Sequence, residues 1–267
     1  MYSRVYVEIT NACNLQCSFC HGHKRPKKFM EEGEFTRILE QLQGKTGYLY
    51  YHLMGEPLLH PQLPRFLELA KEKGFRSNIT TNGTLLKQRG EELLQAGVHK
   101  VNISLHSQEV GDPMAYLQDV ANFVELAQKA GTIVSLRLWT GKNDRVLDIL
   151  QSLLPGPWEK NTRGYRIREK VFLEFGEKFD WPDKAAEEGD GKIACYGMRD
   201  HFGILCDGTV VPCCLDSEGD ISLGNVFTEN LEAILASPRA TAICKGFQNR
   251  NATEDLCRKC GYAQRFR

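Results

Sequence analysis

Through residue 175, short apolar runs alternate with amphipathic stretches. The runs at 4–10, 48–54, 76–81, 100–106, 133–139 and 171–175 predict strands. Between them, apolar residues recur at three- and four-residue spacing over 31–43, 63–73, 85–95, 114–130 and 145–154, which predicts helices. Gly44, Gly74, Gly97 and Gly131 stand where helix-stopping glycines belong. This alternation predicts an α/β fold with a parallel sheet and helical crossovers.

A second period runs inside the strands. Val5, Val7 and Ile9 alternate with Tyr6, Glu8 and Thr10, and Val101, Ile103 and Leu105 alternate with Asn102, Ser104 and His106. Val134, Leu136 and Leu138 do the same against Ser135 and Arg137. One face therefore packs under helices and the other carries polar groups. A closed barrel usually fills its interior with branched apolar side chains. A polar inner face needs a polar ligand, because each unpaired buried group costs roughly 1–3 kcal/mol. The pattern reads as a partial (β/α)6 TIM-like barrel with a polar ligand in its mouth. A one-sided sheet with its polar face in water is the alternative, although that arrangement suits antiparallel sheets better.

After residue 175 the pattern changes. Trp181-Pro182 and the acidic, glycine-containing stretch 184–191 read as a linker. Beyond it, 202–206 and 209–213 flank Asp207-Gly208 as a hairpin, and 231–236 reads as a helix. The chain divides into a barrel over 1–180 and a small α+β module over 181–267.

Lysine plus arginine equals aspartate plus glutamate, 34 of each, so no global charge favours bulk nucleic-acid binding. No segment reaches the roughly 18 apolar residues of a membrane helix. The opening residues lack an apolar signal core, so a cytoplasmic location is expected. Ten cysteines are the anomaly. In a reducing compartment such clusters bind metal or do chemistry more often than they pair. Three lie near the N-terminus and seven from Cys195 onward, which points to two metal centres.

Cys13-Asn14-Leu15-Gln16-Cys17-Ser18-Phe19-Cys20 follows the first strand, at the strand end where a β/α barrel builds its active site. A fully protein-ligated [4Fe–4S] cluster takes four thiolates. Three would leave one iron open to substrate or cofactor. A structural zinc site completed by His21 or His23 is the competing reading.

The CxxxCxxC spacing, with an aromatic residue before its last cysteine, resembles the signature of radical S-adenosylmethionine (SAM) enzymes. The likeness continues at Met54-Gly55-Glu56-Pro57, which is similar to that family's Gly-Gly-Glu-Pro motif with Met54 in place of the first glycine. The resemblance implies a SAM site formed by Phe19, Met54, Gly55, Glu56, Thr80, Asn82, Ser104 and Arg137, with Arg137 suited to the SAM carboxylate. It also implies a [4Fe–4S] cluster on Cys13, Cys17 and Cys20 and an electron donor such as a reductase or flavodoxin. The implied reaction is reductive cleavage of SAM to a 5′-deoxyadenosyl radical that abstracts hydrogen from an unactivated carbon, the cofactor carrying the hard step.

Cys195, Cys213, Cys257 and Cys260 form a CX17CX43CX2C array. With the hairpin over 202–213 and Gly224-Asn225-Val226, the array resembles the SPASM or twitch extensions of that family. The likeness implies one auxiliary [4Fe–4S] cluster. Cys214 could replace Cys213, and zinc on four thiolates remains the alternative. Cys206 and Cys244, in apolar surroundings, read as plain buried thiols.

The run His21-Gly22-His23-Lys24-Arg25-Pro26-Lys27-Lys28 reads either as a solvated stretch or as an anion-binding edge beside the active site, with Lys24 and Arg25 the nearest cations. Glu8 and His106, on the polar face, could position substrate or move a proton. Glu174 and Trp139 are weaker versions of the same case, and Trp181 reads as packing between modules. The resemblance implies three functions. The first is a lyase acting on a small nucleoside-like metabolite, similar to the queuine lyases that release a 7-deazapurine base from its nucleoside 5′-phosphate. There the phosphate would suit Lys24 and Arg25, and the base would need a carboxylate such as Glu8 or Glu174. The second is peptide or protein modification, against which no leader-binding domain precedes the first strand. The third is a non-catalytic iron–sulfur or zinc scaffold, which would need neither Gly55-Glu56-Pro57 nor a polar lumen.

Overall fold

The computed structural model describes residues 1–106, 112–139, 143–189 and 191–266. In chain order its elements are β1 (Arg4–Val7), α1 (Glu32–Leu42), β2 (Tyr48–Tyr51), α2 (Leu63–Glu72), β3 (Arg76–Thr81), α3 (Leu86–Gln95), β4 (Lys100–Ser104), α4 (Pro113–Lys129) and β5 (Ile133–Leu138). There follow α5 (Asp144–Leu153), β6 (Glu159–Asn161), β7 (Gly164–Arg168), β8 (Val171–Phe175), β9 (His201–Ile204), β10 (Thr209–Val211) and β11 (Gly224–Asn225). The chain closes with α6 (Leu231–Leu235), α7 (Pro238–Gln248) and α8 (Asp255–Arg258). No helix among the described residues is long and apolar enough to cross a membrane.

The chain packs as two compact units. The first joins Met1–Gly55 and Lys73–Phe75 to Phe179–Arg267; the second holds Glu56–Glu72 and Arg76–Lys178.

In the first unit, β1 pairs in parallel with β2 and also with β9, and β10 and β11 extend the sheet antiparallel from β9. Val5 and Val7 are buried, as are Phe35, Ile38, Leu39 and Leu42 at helical spacing on α1. The Phe35 and Tyr51 rings lie 5.9 Å apart. Alternation along β1 thus puts its valines in an apolar core and leaves Arg4, Tyr6 and Glu8 on the opposite face. The 202–213 hairpin is observed, tightened by Gly208 at φ +87°. A Cβ there would meet the Asn225 side chain at 2.5 Å. The parallel pairing of β9 with β1, and α7, are not anticipated by the sequence pattern. In the expected linker, Lys184 pairs with Asp220 at 2.5 Å; Asp190 lies outside the described residues.

In the second unit, β3, β4, β5 and β8 run parallel, and the β6–β7 hairpin adds antiparallel strands outside β8. The strands expected at 76–81, 100–106, 133–139 and 171–175 are all present. The hairpin is new: half of residues 159–168 are charged, and the apolar alternation is limited to Tyr165 and Ile167. Pairing registers Thr80, Asn102, Ser135 and Phe172 in one row across the sheet, and Ser104, Arg137 and Glu174 in the next row on the same face. The opposite face carries Ile79, Val101, Ile103, Val134, Leu136 and Leu173, all buried. The polar row expected from the alternation is therefore built.

Candidate active site

The loop from Thr10 to Met30 folds back on itself. Thr10 Oγ1 donates to Lys28 O at 2.8 Å, and Asn11 Nδ2 to Pro26 O at 2.9 Å. Lys28 N donates to Asn11 Oδ1 at 2.8 Å, and Met30 N to Ile9 O at 2.8 Å. These bonds close the base of a loop that carries Cys13, Cys17 and Cys20. Within it, Cys20 N donates to Cys17 O at 3.0 Å, and Leu15 N donates to Cys13 Sγ at 3.5 Å. Cys13 and Cys20 are exposed and Cys17 is half-buried, so the thiols face outward from a pinned backbone.

Gly55 supports the loop base. Its φ is +78°, and a Cβ there would stand 2.4 Å from Thr10 O. Both the left-handed backbone and the close approach require glycine. Trp181 braces the loop from another direction, donating from Nε1 to Phe19 O at 3.2 Å and stacking on His21 at 6.0 Å. The expectation for Trp181 was packing; its packing partner is the cysteine loop itself. His23 Nε2 is bonded to Asn11 O at 2.8 Å. Both histidines that could have completed a zinc site are thus engaged in loop packing.

Glu8 is a candidate to meet substrate or SAM, and Arg25 lies in a run that reads as solvated or anion-binding; in the structure the two meet each other. Glu8 is fully buried. Its Oε2 accepts from Arg25 Nη2 at 2.8 Å and from Met54 N at 3.1 Å, and its Oε1 accepts from Cys206 N at 3.2 Å. Arg25 also donates from Nε to Ser217 O at 2.8 Å. Burial alone would lower the Arg25 pKa, but the Glu8 carboxylate outweighs it and raises the pKa. The pair therefore ties the cysteine loop, the end of β2 and the β9–β10 turn together, and its charges are matched within the protein. Met54, which the resemblance implies at the SAM site, has its backbone N–H held by Glu8. Lys24 exposes its side chain and donates from its backbone to Glu218 at 2.7 Å. Burial drives the Cys206 thiol pKa up to about 12, with Glu8 adding to the rise. This agrees with its reading as an inert buried thiol.

The four later cysteines are neighbours. Burial raises the Cys213 thiol pKa well above its ordinary value, and Cys214, Cys257 and Cys195 add like-charge repulsion. Burial and then Cys195 and Cys260 raise Cys257. Cys260 is raised by burial and by Cys195. Such a thiol quartet is costly as free thiolates and suits a cation that takes thiolate ligands. Among the described residues no three Cys, His, Asp or Glu side chains stand at ligating distance. A cluster would still have to draw the sulfurs together. Cys214 instead hydrogen-bonds Tyr6 and packs with Tyr6, Leu53, Leu205 and Val211.

In the second unit, Glu56 is buried at the end of a short 3-10 turn, Pro57–Leu59. It accepts from Leu58 N at 3.0 Å, Thr81 Oγ1 at 2.7 Å and Asn82 N at 2.7 Å. Burial raises its pKa to about 7 against the pull of these three donors. The carboxylate thereby shapes the Thr80-Thr81-Asn82-Gly83 turn after β3. Asn82 Oδ1 accepts from Thr84 N at 3.0 Å, and Tyr116 Oη donates to Asn82 O at 2.9 Å.

On the polar rows, Asn102 Nδ2 donates to Ile79 O at 3.1 Å and to Thr80 Oγ1 at 3.3 Å. Its Oδ1 is buried with no partner among the described residues. A buried carbonyl of this kind calls for a polar ligand or water. Ser135 Oγ donates to Glu174 Oε2 at 2.8 Å, and Arg137 Nε lies 3.5 Å from the same oxygen. His106 is buried beyond β4. Burial first, and then Lys178, lower its pKa to about 4, so its ring is neutral at pH 7. Of the residues the resemblance implies at the SAM site, Thr80, Ser104 and Arg137 lie on one sheet face, and Glu56 and Asn82 meet at the turn after β3. The sequence gave no sign of Tyr116, which the turn after β3 needs and which lies on α4.

Comparison with known proteins accounts for this constellation. The model of the radical SAM superfamily matches residues 7–153, and that of the SPASM iron–sulfur cluster-binding domain matches residues 195–261. A probable GTP 3′,8-cyclase of Sulfolobus acidocaldarius is 34% identical over 137 residues, covering 47% of this chain and 42% of that protein. A tungsten-containing aldehyde ferredoxin oxidoreductase cofactor-modifying protein of Pyrococcus furiosus is 34% identical over 109 residues, 38% of this chain and 30% of its own. The chain thus matches less than half the length of these curated relatives. Solved structures share the fold across the chain. BtrN in complex with AdoMet and 2-DOIA gives a TM-score of 0.64 at 20% identity, covering 97% of this chain and 93% of that one. AnSMEcpe with bound AdoMet gives 0.64 at 14% identity, covering 99% and 91%. The chain belongs to the radical SAM superfamily and is a radical SAM enzyme with a SPASM iron–sulfur domain.

Proposed function

We propose that this enzyme abstracts hydrogen from a small nucleoside-like metabolite, and that the reaction is the release of queuine from queuosine 5′-phosphate. The observation that carries the small-polar-ligand reading is the row of buried polar groups on β3, β4, β5 and β8, with the Asn102 carbonyl left for a ligand. Relatives named as GTP 3′,8-cyclases match 47% and 38% of the chain, and the purine nucleotide in their name supports a nucleoside-like substrate.

In this reading Cys13, Cys17 and Cys20 hold one [4Fe–4S] cluster, and Cys195, Cys213, Cys257 and Cys260 hold an auxiliary one. That first cluster would supply the electron for reductive cleavage of SAM bound beside it. The chain's own share is positioning. Thr10, Asn11 and Trp181 keep the cysteine loop closed at its base. Glu56 fixes the turn after β3 that presents Asn82. Arg137 and Ser104 offer a cation and a hydroxyl to a carboxylate and a ribose. His106, neutral at pH 7, is suited to accept or donate a single hydrogen bond without adding charge. Lys24 remains the cation next to the loop for a phosphate.

The test is an anaerobic assay of reconstituted protein with SAM, a reductant and queuosine 5′-phosphate. Release of queuine together with stimulated 5′-deoxyadenosine is the expected result. Slow cleavage that the nucleotide does not stimulate would reject this substrate and turn attention to peptides.

A further inference from the structure

Given the nucleoside reading above, on which this rests, we infer that Glu174 and Trp139 form the subsite that recognises the base, taking a flat heterocycle with a guanidine-like N–H edge. A base of that kind needs a carboxylate acceptor, and the alternation of the strands offers two, Glu8 and Glu174. Glu8 is closed off: both of its oxygens are used by Arg25, Met54 N and Cys206 N, and its side chain is fully buried. Glu174 is half-open, with 24% of its side chain exposed. Its Oε2 is anchored by Ser135 Oγ at 2.8 Å and by Arg137 at 3.5 Å. Its Oε1 carries no hydrogen bond among the described residues. One oxygen is thus oriented and the other is offered to an N–H donor on the planar edge.

The ionisation state fits the same role. Burial would push the Glu174 carboxyl up, but the Ser135 hydrogen bond and the cations Arg137, Lys100 and Arg163 bring it below its ordinary value. The group is therefore an acceptor at neutral pH.

Trp139 supplies a flat wall. It lies two residues past Arg137, just beyond the end of β5, as Gly176 lies two residues past Glu174, just beyond β8, and Arg137 Cζ stands 6.0 Å from the indole centroid. A Cβ on Gly176 would come within 2.1 Å of the Trp139 ring. The missing side chain lets the indole lie against the backbone, one pleat from the carboxylate. An aromatic face of this kind stacks on any heterocycle and adds affinity without choosing among bases. The choice then falls to Glu174, because a site built to accept N–H donors rejects a ligand that lacks them.

The experiment measures equilibrium binding of queuosine 5′-phosphate to the full reconstituted, SAM-loaded protein. Glu174→Gln is expected to weaken binding by about tenfold or more, with partial recovery in Glu174→Asp. Trp139→Leu should weaken it roughly fivefold or more. Wild-type protein should discriminate by about tenfold against the same nucleotide lacking its 2-amino group. That last comparison needs no variant, so it decides the matter even if Glu174→Gln fails to fold. A folded, iron-replete Glu174→Gln protein that binds as wild type does, or wild type indifferent to the missing amino group, overturns the subsite and leaves the nucleoside reading standing. An unaffected Trp139→Leu protein removes the aromatic wall from the inference. Wild-type protein that binds no such nucleotide overturns both.

Discussion

Glu8 and Glu56 show how far a single carboxylate can be read from its neighbours in sequence. Both stand at the ends of strands beside a predicted site, and both were expected to touch substrate or cofactor. The structure buries each against donors that are distant in sequence: Arg25, Met54 and Cys206 for the first, Thr81 and Asn82 for the second. Alternation reports the face on which a side chain lies, but not which partner already occupies it. Glu56 makes a pH prediction. Its folded pKa of about 7 lies above the ordinary 4.5. Between those values the folded chain keeps a proton that the unfolded chain has lost, so stability falls as pH rises. The full contribution is present below about pH 4.5 and is lost through pH 7, on the order of 3 kcal/mol. His106, with its pKa lowered to about 4, works in the opposite direction and destabilises the fold as pH falls. The comparison that isolates Glu56 is therefore denaturant melts of wild type and Glu56→Gln from pH 5 to 8. The variant should lose the downward slope; an equal slope in both would reject the assignment.

At the scale of elements, the strands were legible because one side of each packs apolar residues and the other does not. The helices were legible from their apolar stripes, as on α1 with Phe35, Ile38, Leu39 and Leu42. The β6–β7 hairpin was not legible, because its pairing to β8 depends on a neighbour rather than on an apolar face of its own. The parallel pairing of β9 to β1 joins residues almost 200 positions apart, beyond any local signal. The cysteine loop lies between these cases. Its spacing named the chemistry, while the bonds that hold its base came only with the structure. Gly55 offers a direct test of that support. Gly44 and Gly55 both adopt positive φ, but only Gly55 faces backbone at 2.4 Å. Gly44→Ala should cost about 1–2 kcal/mol, the left-handed penalty alone. Gly55→Ala should cost clearly more and should lower iron uptake on reconstitution, measured by colorimetric iron analysis. Equal effects of the two changes would contradict the close-approach argument.

For the whole molecule, the sequence carried the superfamily and the two groups of cysteines, and the family models match 7–153 and 195–261. Packing divides the chain differently, since 1–55 joins 179–267 in one unit. The boundary drawn from composition near 180 lies beside the change of unit between residues 178 and 179. The substrate was the least legible part, because recognition depends on which polar groups the packing leaves open, and that is a property of the fold. The central claim is that the loop of Cys13, Cys17 and Cys20 makes this a radical SAM enzyme with a second, separate cluster. The most direct measurement is anaerobic: iron and sulfide counts and 5′-deoxyadenosine formation for wild type and for a protein with Cys13, Cys17 and Cys20 all changed to alanine. Wild type should hold about eight irons and cleave SAM, and the variant should hold about four and form no 5′-deoxyadenosine. Cleavage that survives in the variant would contradict the account.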